Sequence, residues 1–408
     1  MTTLPIAESL KRVIIVLAAL AVGLAGGGAI GLVSQDEPKR AVTAISPTPI
    51  GTPSPPPRPV IPDTLLAWTP GGIPDGFGPA VAKVRAVDRL VSVVSGTAWL
   101  TRSFSASGDV VDRPPPGLAI PLEVAGANLS AYEHFLSPGD RALLPALDRG
   151  EAVLGTTSAT LRGIGVGGTL VFGNIRLRVA GILPDAAIGA HEVFVSRETA
   201  ASIGVVRDRY LLIDPGPKSS RRKLSNRIRG LLPPGKQVQI RGPGETTFFR
   251  QGDAVLPPVQ LKVMFGEFAA VPIQGGYLDV DPDWVATHIV VASVPVLGRV
   301  QCNRALIPQL RGALGEVERE GLSQLLPTGD YAGCYSARFL NRNPEAGISH
   351  HAWGVALDVN VSKNPYGETP HQDPRVVAIF ERWGFTWGGD WILPDGMHFE
   401  FVRFARAT

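Results

Sequence analysis

Residues Val13 to Val33 (VIIVLAALAVGLAGGGAIGLV) form an unbroken uncharged run directly after Lys11 and Arg12. At a helical rise of about 1.5 Å per residue the run is roughly 30 Å long, the thickness of a bilayer's hydrocarbon core. A buried helix of a soluble domain would show a polar face, and this run has none. The rival is a cleaved leader, whose apolar region spans about 7–15 residues and ends at a small-x-small site. The run is longer than that and no convincing cleavage site follows it, although its second half is rich in glycine. It is therefore read as an uncleaved single-pass anchor over 13–33, behind a cytoplasmic tail of residues 1–12. Lys39 and Arg40 nearly balance Lys11 and Arg12 across the run, so charge alone leaves the orientation open.

A spacer follows, residues 34–62, whose stretch AVTAISPTPIGTPSPPPRPVIP has little to fold around and stays extended. The rest of the 408-residue chain is long enough for two folded units. With 44% hydrophobic and 18% charged residues it can bury real cores, and 47 glycines and 37 prolines favour turns and β structure over long helical bundles. A formal net charge of +3 argues against a dedicated nucleic-acid binder, which needs a concentrated basic face. The one dense basic run is KSSRRKLSNRIR, Lys218 to Arg229. Leu224, Ile228 and Leu231 or Leu232 recur in it at helical spacing, so it reads as the solvated face of an amphipathic helix; contact with anionic envelope polymers or lipid is the alternative.

The first unit, 63–250, carries no catalytic signature. TLVF, the dipeptide Gly173-Asn174 and IRLRVAG, with Ile175, Leu177 and Val179 alternating, predict a hairpin. EVFVS at 192–196 predicts a strand, followed by a short helix from Arg197 to Ser202. His134 and His191 stand alone and read as ordinary surface or core histidines. The stretch GIGVGGTLVFGNIRLRVAGIL resembles the extracytoplasmic domain of MacB-type ABC permeases. That resemblance implies a β-rich extracytoplasmic domain of unassigned role and an envelope protein as partner.

The second unit, 251–408, differs in texture. A strand over IVVASVPVLG leads to Cys302. Ile307, Leu310, Leu314 and Val317 then recur at three and four residues, an amphipathic helix. Another helix begins with Asp373 as N-cap and Pro374 at its first position, buries Val376 or Val377, Ile379, Phe380 and Trp383, and stops at Gly384. Cys302 and Cys334 are too few for a metal cage. In an exported chain they would form a disulfide around the first of these helices.

Between the helices lies SHHAWGVALDVN, Ser349 to Asn360. Read as a strand, VALDVN points Val355, Leu357 and Val359 into a core and Gly354, Ala356, Asp358 and Asn360 the other way. Mid-strand aspartate is otherwise disfavoured, and here it sits on a face cleared by small residues. MHFEFV repeats the pattern, with Phe399 and Phe401 on one face and His398 and Glu400 on the other. Two such strands side by side bring Asp358 to His398, and His350 or His351 can supply a third ligand. Two imidazoles and a carboxylate suit Zn2+, with water at the open position. Asp395, three residues before His398, can take a proton from that water.

These residues resemble the zinc D-alanyl-D-alanine carboxypeptidase family, the VanY-like group that includes L-alanyl-D-glutamate endopeptidases. Its motif is serine, any residue, histidine, two residues, glycine, any, alanine, any, aspartate. Ser349, His351, Gly354, Ala356 and Asp358 fill every fixed position, which selects His351 over His350. Asp395, His398, Phe399 and Glu400 match the distal motif, and WGGDW, Trp387 to Trp391, is also similar. The family's arginine, which contacts substrate or the developing oxyanion, is matched most nearly by Arg338 in CYSARFLNR, with Arg342 as alternative. The resemblance covers about 284–404. It implies an α+β catalytic domain, a small antiparallel sheet with packed helices. It also implies zinc held by His351, Asp358 and His398, with Asp395 as general base and Arg338 steadying charge. The substrates it implies are the peptide stems of peptidoglycan, which place everything beyond the anchor outside the cytoplasm. A wall-binding protein using a peptidase fold without catalysis is the rival, and intact ligands and base speak against it.

Overall fold

The computed structural model describes residues 63–216 and 220–405. The tail, anchor and spacer expected over 1–62, and Lys218 at the head of the basic run, lie outside them. Among the described residues no helix is long and apolar enough to cross a membrane. The architecture is mixed α and β, with small antiparallel sheets and helices in the C-terminal part as expected.

The first unit is built on ten strands. These are β1 (Leu65–Trp68), β2 (Arg89–Leu100), β3 (Arg102–Phe104), β4 (Ile120–Ala127), β5 (Ala152–Gly155), β6 (Thr169–Phe172), β7 (Ile175–Leu183), β8 (Val193–Ser196), β9 (Asp208–Asp214) and β10 (Gln239–Arg241). Their order across the sheet is β10-β1-β9-β2-β4-β8-β5-β7-β6-β3. The predicted hairpin is β6–β7, joined at Gly173-Asn174 with Phe172 opposite Ile175. Its alternation survives, since Leu177, Val179 and Leu183 are buried while Arg176 and Arg178 are exposed. β8 lies deeper in the sheet and is buried along its whole length. Val193 and Val195 enter one apolar cluster and Phe194 the cluster on the opposite face, which is why its sequence shows no polar face. The helix Arg197–Ser202 starts where expected, its first turn capped by the Ser196 side chain. In the basic run the helix Arg221–Arg229 buries Leu224 and Ile228 against β1 and β9, with Leu232 rather than Leu231 packing beside them.

His191 is a core histidine. Its Nδ1–H donates to the Ile188 carbonyl at 2.8 Å, which leaves Nε2 to accept from the Ser95 hydroxyl at 3.1 Å. Burial pulls its pKa down to about 4, against the attraction of Glu123. The unfolded chain protonates this ring near pH 6.5 and the folded one only near 4. The folded state is therefore penalised as pH falls between those values, and by about 3 kcal/mol once below both. Chemical denaturation from pH 7 to pH 4 should show that loss, and His191→Gln should remove it.

The second unit begins with the helix Pro258–Phe265 and two hairpins, β11 (Ala270–Ile273) with β12 (Tyr277–Val280) and β13 (Ile289–Val294) with β14 (Gly298–Asn303). The strand predicted over IVVASVPVLG thus ends early. Pro295 offers no backbone donor and Val296 takes a φ of 61°, so the chain reverses and returns as β14. The helices Ile307–Arg319 and Pro374–Arg382 flank a four-stranded antiparallel sheet ordered β15 (Tyr331–Gly333), β16 (Ala356–Val359), β18 (His398–Phe401) and β17 (Phe385–Trp387). Asp373 caps the second helix, accepting from the Arg375 amide, and Gly384 ends it at a φ of 78°. Trp383, expected in the core, is half-buried because its indole N–H reaches the Glu316 carboxylate.

Cys302 and Cys334 form a disulfide with 5.3 Å between their Cα atoms and a separation of 32 positions in sequence. Closing a loop of that length should contribute about 3–4 kcal/mol. Reduction should lower the midpoint of denaturant unfolding accordingly, and both thiols should resist alkylation until reductant is added.

The part with the ten-stranded sheet and the part with the four-stranded sheet belong to one compact unit and share a buried seam. Ala119 and Ala270 exchange backbone hydrogen bonds. Lys262 donates to the Pro121 carbonyl at 2.6 Å and to both oxygens of Glu192 at 2.9 Å. Arg162 adds bonds to Glu192 and Glu267. All four side chains are largely or wholly removed from solvent. Removing one member of such a set strands the rest, at a cost of about 3–5 kcal/mol.

Candidate metal centre

β16 and β18 run antiparallel with Asp358 opposite His398 and Ala356 opposite Glu400. Leu357 and Val359 of one, with Val355 just before it, and Phe399 and Phe401 of the other enter the same apolar core. Period-two alternation then forces Asp358, His398 and Glu400 onto the opposite face. The third group comes from a short turn. Ser349 caps the 3-10 turn His350–Trp353, its hydroxyl accepting from the His351 amide, and Gly354 closes it at a φ of 67°. A Cβ on Gly354 would meet the Asn303 backbone nitrogen at 2.7 Å. The fixed serine and glycine of the motif thus aim His351.

His351, Asp358 and His398 offer ligand atoms that lie within 4.8 Å of one another. His351 Nε2 is 3.2 Å from Asp358 Oδ2 and 3.3 Å from His398 Nδ1, which is 3.0 Å from Asp358 Oδ1. Donors about 2.0–2.1 Å from a tetrahedral zinc would stand roughly 3.3 Å apart. The tautomers agree with ligation. His351 Nδ1–H donates to the Cys334 carbonyl at 2.8 Å, leaving Nε2 with a lone pair. His398 Nε2 lies 3.3 Å from Glu400 Oε2, leaving Nδ1 to face the cluster. Such outer partners orient ligand imidazoles. His350 does not join the cluster; its Nδ1 lies 2.8 Å from Glu400 Oε2.

The electrostatics are those of a cation site. Burial works against charge on Asp358, yet its hydrogen bonds to His351 and His398 hold the carboxyl far below the usual carboxylate range. Burial pulls His398 down, but Asp358 and Glu400 outweigh it and raise the ring to about 10. Positive charge is thus strongly favoured between the two carboxylates. Asp395 stands differently. Its Oδ1 is buried and accepts no hydrogen bond. Burial, with Asp358 adding to it, raises its carboxyl against the pull of His398, His351 and Arg338. An orphaned carboxylate oxygen beside three convergent donors fits a site completed by a metal and its water.

A cleft of about 720 Å³ opens over His351 and Asp358, lined also by Tyr277, Arg338, Asn341, Arg342 and Tyr366. Arg338 Nη2 lies 4.0 Å from Asp358 Oδ2, beside the cluster. Arg342 lies with its guanidinium 5.0 Å over the Tyr277 ring. Both arginines therefore face the cleft, with Arg338 the one adjoining the ligands. Tyr277, Asn341 and Tyr366 escaped the sequence reading because they sit in or beside irregular loops with no periodicity to mark them.

Residues 342–401 match the family described as D-alanyl-D-alanine carboxypeptidase, and residues 13–248 match the MacB-like periplasmic core domain. Arg338 lies just outside the first of these stretches. No curated protein matches the chain. Among solved structures, the periplasmic region of MacB from Actinobacillus actinomycetemcomitans is 13% identical, covering 44% of this chain and 88% of that one, with a TM-score of 0.31. The extracellular domain of the noncanonic ABC-type transporter YknZ from Gram-positive bacteria is also 13% identical, covering 43% of this chain and 100% of that one, with a TM-score of 0.29. The MacB-like match spans more than half of the 408 residues: the chain belongs to the MacB-like periplasmic core domain family, and its C-terminal part carries a stretch of the D-alanyl-D-alanine carboxypeptidase family.

Proposed function

We propose that the C-terminal part, about residues 251–408, is a zinc peptidase that hydrolyses peptide bonds in peptidoglycan stem peptides outside the cytoplasm. On this reading residues 13–33 anchor the chain, 34–62 space it from the bilayer, and 63–250 form the MacB-like domain. The observation that carries the proposal is the convergence of His351, Asp358 and His398, two of which line a cleft shared with two arginines, together with the orphaned, buried oxygen of Asp395 nearby. His351, Asp358 and His398 would hold zinc, which when bound polarises a carbonyl and makes water acidic. Asp395, raised above an ordinary carboxylate, accepts the proton of the attacking water and returns it to the leaving amine. Arg338 faces the charge that develops on the carbonyl oxygen or the substrate's own carboxylate. Glu400 keeps the proton of His398 on Nε2, and the Cys334 carbonyl keeps that of His351 on Nδ1. The aromatic and polar lining from Tyr277, Asn341 and Tyr366 would hold an extended peptide across the cleft.

The test is incubation of zinc-loaded full-length protein in detergent with purified muropeptides, followed by mass analysis. Release of terminal D-alanine, or a cut within the stem, supports the reading and tells carboxypeptidase from endopeptidase. Intact muropeptides with zinc bound would favour instead a wall-binding or envelope-complex protein, a role to which the MacB-like domain lends support. The anchor has its own expected result: the protein fractionates with membranes, and protease added outside removes the folded part. A mature soluble form beginning near residue 34 would show a cleaved leader instead.

A further inference from the structure

Two features of the candidate site are fastened to the MacB-like part of the chain: the segment from Gly388 to Asp395, which packs on the ligand cluster, and one wall of the cleft. Trp391 lies against the ligand His398, ring centroids 5.2 Å apart, and the segment folds on itself where the Gly388 carbonyl accepts from the Asp395 amide at 2.8 Å. Between these residues sits Ile392. Its side chain packs against the apolar cluster on one face of the ten-stranded sheet, and its N–H donates to Asp253 Oδ2 at 3.1 Å. The other oxygen of Asp253 accepts from Arg241 Nη2 at 2.9 Å. Arg241 is itself fixed on β10, donating to the carbonyls of Arg250 and Gly252 and lying 5.4 Å over the Trp68 ring. A continuous chain of contacts thus runs from the sheet edge to the loop that carries the candidate base and covers a ligand. The cleft wall holds Arg338. Its neighbour Phe339 is buried and meets the ring of Trp99, from β2, edge to face with centroids 6.4 Å apart.

We propose that Asp253 and Trp99 are positioning residues, through which the MacB-like domain sets the geometry of the peptidase cleft. This rests on the hydrolytic reading above. Asp253 acts through Ile392 on Asp395 and His398, groups that serve the chemical step. Trp99 acts through Phe339 on Arg338 and the wall where substrate lies. Misplacing a reacting group by about 1 Å can cost on the order of 10²-fold, and the two fastenings should fail differently.

The experiment compares full-length, zinc-loaded wild type with Asp253→Ala, Asp253→Asn and Trp99→Ala on one muropeptide, together with zinc content and amide hydrogen exchange. Asp253→Ala should lower kcat about 10–100-fold with zinc retained. Asp253→Asn, which still offers an oxygen to the Ile392 N–H, should recover most of it. Trp99→Ala should raise KM about tenfold with a smaller change in kcat. Exchange at Ile392 and Asp395 should quicken at least tenfold in Asp253→Ala, whether or not the protein is a hydrolase. Should Asp253→Ala fail to fold, Ile392→Ala keeps the N–H bond to Asp253 but removes the packing on the sheet; it loosens the same segment and should lower kcat and quicken exchange at Asp395 in the same direction. An inactive wild type overturns the hydrolytic reading, and the positioning is then judged by exchange alone. Unchanged kinetics and exchange in both alanine variants, or an Asp253→Asn variant as slow as Asp253→Ala, overturn this inference and leave the hydrolytic reading standing.

Discussion

Asp395→Asn should leave zinc at full occupancy and slow hydrolysis of a wall peptide by a factor of about 10²–10⁴, the usual loss when a general base is removed. The substitution keeps the shape of the side chain and one carbonyl oxygen, so the loop that carries it should hold. What it removes is the capacity to take a proton. Asp395 is not among the three convergent ligand atoms, and its buried Oδ1 accepts no bond that the amide would have to break. Metal analysis and steady-state rates on one preparation separate the outcomes. Release of zinc by Asp395→Asn would make Asp395 a ligand. An unchanged rate with zinc bound would move the base elsewhere, to Glu400 as the next acid in reach. The pH profile follows from the same environment. A base must be ionised to act, and burial raises this carboxyl above its ordinary value. Activity should therefore fall as pH drops through a value above 3.8, and Asp395→Asn should lose that limb.

The second large effect divides two adjacent histidines. His351→Ala should abolish both stoichiometric zinc and activity, because it removes one of three donors and leaves two that cannot hold the ion in an open site. His350→Ala should keep zinc bound, since His350 faces Glu400 and not the cluster. Its effect should resemble loss of an outer partner, at most about 10–100-fold in affinity or rate. Dialysis against a graded chelator followed by metal analysis checks both. Zinc lost from the His350 variant and kept by the His351 variant would reverse the assignment.

The meeting of Asp358 and His398 was legible in the sequence because strands have a period of two. Once Phe399, Phe401, Leu357 and Val359 are assigned to a core, Asp358 and His398 have only the other face to occupy, and pairing β16 with β18 does the rest. His351 needed the resemblance, since a 3-10 turn has no periodicity that prefers it to His350. The far side of the cleft was not legible for a related reason. Tyr277, Asn341 and Tyr366 reach it from segments far apart in sequence, and only packing brings them together. In the first unit the hairpin at Gly173-Asn174 was visible from its turn chemistry and alternation. The ten-strand order was not, because parallel pairs such as β4 with β8 and β5 with β7 join strands across intervening helices. The seam of Arg162, Glu192, Lys262 and Glu267 likewise left no mark. Isolated charges in sequence look solvated until the fold buries them together.

Cys334 is tied at two points: its sulfur is bonded to Cys302, and its carbonyl accepts a hydrogen bond from His351 Nδ1–H. Oxidation and metal readiness are therefore written into one residue. A chain still in a reducing cytosol would lack the sulfur tether, and the carbonyl that sets the His351 tautomer would be held by the backbone alone. An oxidising compartment closes the tether and completes the ligand's support. On the hydrolytic reading, the support of one proposed ligand would then be complete only where the chain is oxidised.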